Sequence, residues 1–271
     1  MWINDYSYKF YPVSYSYFEF QEKNRNTIKR DVFLSLIFEY MVKVKEYSAN
    51  DKMISLISND YRLLQVLSRF GIQLGFGDKN IREVCEETGV DCKTFLTVVN
   101  FLNDNDSNNF DINSLSLRSL LLYLKQSHKY FLEFYLPSIR RKLLDGIILK
   151  DSDVSFLIIK LFDEYVEGIR EHMEDEEKDL FKNVESLINK TDFQIGKSSL
   201  YSRHDEEVGS KHRELKNIII KYCPPNASAN LLNAALYDIY RCEEELVSHC
   251  KIEDLLLIPA LESRINNNAC D

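Results

Sequence analysis

The chain has 271 residues with 43 acidic against 34 basic side chains, a net charge of −9; it is long enough for one large or two small cores, and its charge disfavours nucleic acid as a direct partner. Its six cysteines form no Cys-x-x-Cys pair and are too sparse for a disulfide scaffold, which fits a reducing cytoplasm. No leader-like segment opens the chain and no apolar run approaches the roughly 20 residues that cross a bilayer, so a soluble, cytoplasmic protein without a membrane partner is expected.

Residues 1–45 read as an N-terminal extension. Twelve of the chain's 33 aromatic residues crowd into the first 40 positions without helical periodicity, and Met41 is an alternative start. From 46 to 104 the pattern becomes short helices, around Met53 to Ile57, Leu63 to Leu67, Ile81 to Thr88 and Lys93 to Leu102, punctuated by Gly71, Gly75, Gly77 and Gly89. Residues 104–114, beginning Asp104-Asn105-Asp106-Ser107, are a polar linker. Four long amphipathic stretches follow, about 115–148, 153–190, 197–222 and 228–265. Their lengths and short connections predict an all-α fold, an up-down-up-down four-helix bundle over 112–266 preceded by a small helical module. Pro137 is expected to kink the first bundle helix about two turns after His128.

Four of the five histidines fall into two copies of one pattern. His128 precedes His172 by 44 residues and Glu176 follows as His-x-x-x-Glu; His204 precedes His249 by 45 and Glu253 follows. The midpoint of the first pair lies in the polar break Leu149 to Asp153, which suits a helix N-cap. That of the second lies in Pro224-Pro225-Asn226-Ala227-Ser228, which no helix crosses. In an antiparallel pair, residues equally far from the turn lie level, so each hairpin brings its histidines to one depth. Within each His-x-x-x-Glu, imidazole and carboxylate share a helix face.

One histidine on a helix face is more often a core or surface residue than a ligand. The run Glu171-His172-Met173-Glu174-Asp175-Glu176-Glu177 is also acidic enough to place a carboxylate four residues on by chance. Glu253 is the sharper signal because it leads into Leu255-Leu256-Leu257-Ile258. His212 stands about 12 Å from His204 along a helix and is not expected to reach the same metal. Four imidazoles and two carboxylates form a nitrogen and oxygen donor set suited to a pair of iron ions that the carboxylates can bridge. Structural zinc sites are usually thiolate-rich, and the cysteines here are out of register with the histidines.

At these residues the chain resembles the hemerythrin-like di-iron proteins, and most closely the iron-sulfur cluster repair family, regulators of cell morphogenesis and nitric oxide signalling. The matching segments are Ser127-His128, His172 through Phe181, His204-Asp205-Glu206, and His249 through Glu253 continuing to Leu257-Ile258-Pro259. The family's His-x-x-x-Glu-x-x-x-Leu-Phe-Pro is present twice, with Lys182 in place of the proline in one copy and Ile258 in place of the phenylalanine in the other. The resemblance implies a hemerythrin-like bundle with two non-haem iron ions, His128, His172, His204 and His249 as terminal ligands, and Glu176 and Glu253 as bridges. It extends upstream to Phe70 through Cys85, where Gly75-Phe76 replaces the family's cysteine pair and so removes that module's thiol chemistry. No fifth histidine stands at a suitable level.

The resemblance implies a stress-response role, in iron-sulfur cluster repair or iron supply, with nitric oxide, oxygen or peroxide as small partners and damaged iron-sulfur proteins as macromolecular ones. The alternative is a sensor that binds O2 or NO reversibly without turnover, toward which the missing cysteine pair tilts. A homodimer is compatible with either. A third reading takes Ile81 to Asn103 as a helix-turn-helix, with Cys85, Gly89 and Phe95 at its small, turn and core positions. Its second helix opens with Asp91 and is poor in arginine, which weighs against DNA.

Overall fold

A computed structural model describes residues 46–103, 110–147, 153–190, 206–223 and 227–268, with 206–212, 267 and 268 described by backbone alone. The N-terminal extension, both hairpin breaks at 148–152 and 224–226, the connection after Lys190, His204 and the side chain of His212 lie outside these described residues. Among the described residues all regular structure is helical, apart from one isolated bridge between Lys52 and Asn80.

The first four helices are α1 (Met53–Asn59), α2 (Leu63–Arg69), α3 (Ile81–Thr88) and α4 (Cys92–Asn103). Asn80 starts α3 because its side chain accepts from the Glu83 N–H while the Glu83 carboxylate accepts from the Asn80 N–H, a reciprocal cap. Gly89 ends it at φ 69°, a left-handed conformation that glycine takes without penalty. Helix α4 buries Thr94, Phe95, Val98, Val99, Asn100 and Phe101, and of its residues only Lys93 is exposed.

Four long rods follow. The first runs through α5 (Leu117–Lys129), a π turn at Tyr130–Tyr135 and α6 (Leu136–Gly146). The second runs through α7 (Asp153–Glu176), a π turn at Glu177–Phe181 and α8 (Lys182–Asn189). The third is α9 (Glu206–Tyr222), and the fourth comprises α10 (Ala229–Ile252), a π turn at Glu253–Leu257 and α11 (Ile258–Asn268). The second rod packs on the third and the fourth on the first, which closes the ring of a four-helix bundle. Pro137 and Pro259 each sit two residues past a π turn. Proline lacks the N–H of the regular ladder, and the wider π turn before it takes up that mismatch. The second rod forms a π turn without proline, so proline is not its sole cause.

Two apolar clusters fill the molecule. One joins Met53, Leu56, Phe70 and Phe95 of the first four helices to Leu120, Tyr123, Leu124, Phe181, Leu257 and Leu261 of the bundle. The other, with Phe131, Ile139, Phe162, Tyr165, Leu215 and Ile239, fills the opposite half of the bundle. On each rod that carries a π turn the change from one cluster to the other occurs at a buried histidine or glutamate: Leu124, His128, Phe131; Met173, Glu176, Leu180; Cys242, His249, Ile252. A polar layer thus separates the two apolar clusters. No described helix is long and apolar enough to cross a membrane.

Candidate metal centre

That layer is built from side chains the sequence pattern singles out. His128 lies in the last turn of α5, Glu176 ends α7, His249 lies in the last turn of α10, and all three are buried. One nitrogen or oxygen from each of the three lies within 4.8 Å of the others. The Nε2 atoms of His128 and His249 are 3.2 Å apart. Glu176 Oε2 stands 3.0 Å from His128 Nε2 and 3.7 Å from His249 Nε2, and its Oε1 stands 2.7 Å from His172 Nε2. Glu253, fully buried, has Oε2 4.0 Å from His249 Nε2. Turn midpoints pair His128 with His172; in space the two share one carboxylate, and among the described residues His128 meets the imidazole of His249, between the first and fourth rods. His204 lies outside the described residues.

Neither oxygen of Glu176 receives an aligned hydrogen bond, despite three imidazole nitrogens within 3.7 Å. A buried carboxylate left that way is costly unless a cation satisfies it. Short separations without hydrogen-bond alignment are what ligands of a common ion show, because their lone pairs are directed at the ion rather than at a neighbour's proton. The donor set, imidazole nitrogen and carboxylate oxygen, matches iron and related divalent metals. These residues fit a metal cation.

Electrostatics agrees. Burial pushes the Glu176 carboxyl up, but its three imidazole neighbours outweigh that and hold it well below the usual carboxylate range. Burial lowers His249 from 6.5 to about 4, so at neutral pH it is an uncharged imidazole with a lone pair to donate. This shift has a sign. As pH falls from 6.5 toward 4 the unfolded chain takes up a proton at His249 that the folded chain refuses, so the metal-free protein loses stability across that window. The unfolding midpoint of chelator-treated protein is expected to drop between those pH values, and His249→Gln to flatten the drop. An unchanged profile in the variant would refute this origin.

Two neighbours of His128 escaped the sequence reading. Glu177 Oε1 accepts from His128 Nδ1 at 3.0 Å, which fixes the tautomer that leaves Nε2 unprotonated and facing Glu176. Glu177→Ala is therefore expected to weaken metal affinity by roughly 10–100-fold, the usual effect of losing such a partner, measured by competition with a chelator. Phe181 lies against the same ring, with centroids 4.9 Å apart and planes 23° from parallel. The acidic run conceals Glu177 among equivalent carboxylates, whereas Phe181 stands in the Leu-Phe pair that follows the first His-x-x-x-Glu. The π turns begin two residues after His128, directly after Glu176, and at Glu253. Such turns recur at functional sites because one extra residue per turn re-aims the side chains around it.

A family model described as the Hemerythrin HHE cation binding domain matches residues 120–261. Among curated proteins none matches the chain. The matched span covers more than half of the chain and contains the whole His/Glu layer, and domains of this kind bind metal cations, typically iron. By that match, and by a helical bundle whose buried polar layer suits a cation, the chain belongs to the hemerythrin HHE cation-binding family.

Proposed function

We propose that the protein holds two non-haem iron ions, with His128, His172, His204 and His249 as terminal ligands and Glu176 and Glu253 as bridges. In this reading it acts in the cytoplasmic response to nitrosative or oxidative stress, repairing iron-sulfur clusters or supplying iron to them. The supporting observation is Glu176, a buried carboxylate facing three imidazoles with no aligned hydrogen bond. A bound pair of irons would supply redox chemistry and a coordination position for NO, O2 or peroxide. The chain's own side chains do the rest. Phe131 and Phe181 exclude water beside the ring of His128 or His249. His172, 21% exposed where His128 and His249 are nearly sealed, marks the side from which a small ligand enters. Residues 1–45, 46–104 and 112–266 are, on this reading, extension, module and di-iron domain.

A second reading limits the centre to reversible O2 or NO sensing, and Gly75-Phe76 in place of a cysteine pair favours it. Anaerobic reconstitution with ferrous iron is expected to load about two irons per chain. Restoration of an oxidised iron-sulfur enzyme then supports repair, and a ligand-dependent spectral change without turnover supports sensing. Failure to retain iron defeats both.

A further inference from the structure

Arg69, the last residue of α2, is a cation buried inside the protein, 3% exposed. Its Nη2 donates to Glu245 Oε2 at 2.8 Å and its Nη1 to the Tyr123 hydroxyl oxygen at 3.3 Å, while Nε has no hydrogen-bond partner. The guanidinium also lies 5.8, 5.4 and 5.2 Å from the ring centroids of Tyr123, Tyr130 and Phe131. A buried charge is tolerated only when paired and surrounded in this way. Its neighbour Phe70 is buried against Tyr123 as well, at 5.0 Å between centroids.

Two of the bundle residues that Arg69 meets, Glu245 and Phe131, lead to His249. Glu245 precedes His249 by four residues on one face of α10. Phe131 sets its ring at 84° to His249, with centroids 6.3 Å apart. Tyr123 and Tyr130 lie on the first rod, which also carries His128. One side chain from outside the bundle thus bears on both rods whose histidines, His128 and His249, stand 3.2 Å apart.

We propose that Arg69 is a positioning residue of the metal centre: by clamping Glu245 and packing against Phe131 it makes docking of residues 46–103 and loading of the centre reinforce each other. The inference rests on the metal-centre reading above. Coupling of this kind is reciprocal, so metal must tighten the helix that carries Arg69 although that helix contains no ligand.

The experiment uses the full chain, hydrogen exchange with and without anaerobically added ferrous iron, and the rate of iron loss to a chelator. Wild-type protein is expected to exchange more slowly across Leu63–Arg69 when iron is bound. Arg69→Met and Glu245→Gln, which open the clamp from either side, are expected to abolish that slowing and to speed iron loss about tenfold, equivalent to about 1.4 kcal/mol. Should Arg69→Met fail to fold, Glu245→Gln carries the test alone. Iron that binds wild-type protein without slowing α2, or that leaves the variants at the wild-type rate, overturns the proposal and leaves the centre standing. Wild-type protein that takes up no iron overturns the metal-centre reading and this inference with it.

Discussion

Glu176→Ala is expected to strip the centre of its metal while leaving the bundle folded. No other described side chain stands so close to three histidines, at 3.0, 2.7 and 3.7 Å from the nitrogens of His128, His172 and His249. Without it the imidazoles keep their rods but lose the anion that offsets the charge of a cation and gathers the nitrogens around it. The loss should exceed the roughly 10–100-fold attending removal of an outer partner such as Glu177. Metal analysis after reconstitution, with circular dichroism as the control for folding, reads the result. Retention of iron at the wild-type ratio would show that Glu176 is a structural acid and that the cation lies elsewhere.

Phe181→Ala should have the largest effect on stability. The ring is fully buried, closes the π turn of the second rod and lies face to face with His128. Truncating such a phenylalanine typically costs about 3–5 kcal/mol through lost burial and the cavity left behind, a large share of the roughly 5–15 kcal/mol that holds a domain together. Phe181→Leu separates packing from stacking. It retains most of the volume, so stability should fall by about 1.5 kcal/mol or less, yet His128 loses the aromatic face that orients it. Denaturant unfolding and metal affinity of the two variants discriminate the roles. An alanine variant within about 1 kcal/mol of wild type would mean that the site collapses onto the gap at little cost.

Much of this arrangement is legible in the chain because periodicity and capping act locally. The predicted stretches 115–148 and 153–190 correspond to rods spanning Leu117–Gly146 and Asp153–Asn189, and Asn80 and Gly89 bound α3 by the side-chain chemistry their identities announce. His128, Glu176 and His249 come together, although the turn midpoints pair His128 with His172 and His249 with His204, which lies outside the described residues. The π turns were hidden for a physical reason. They differ from α-helix by one residue, and the apolar stripe of the first rod then steps by five, from Phe131 to Leu136, which reads as an irregularity rather than a feature.

What the amino-acid order determined by itself is the all-α bundle and where its helices run, because hydrophobic period, caps and turn residues depend on near neighbours alone. Only the tertiary structure decided that His128 meets His249 across rods, that Glu177 rather than another acid of its run holds Nδ1, and that Arg69 reaches Glu245 from 176 residues away. Those contacts join groups distant in sequence, and their partners are chosen by packing and by the cost of burying charge, which no local pattern records.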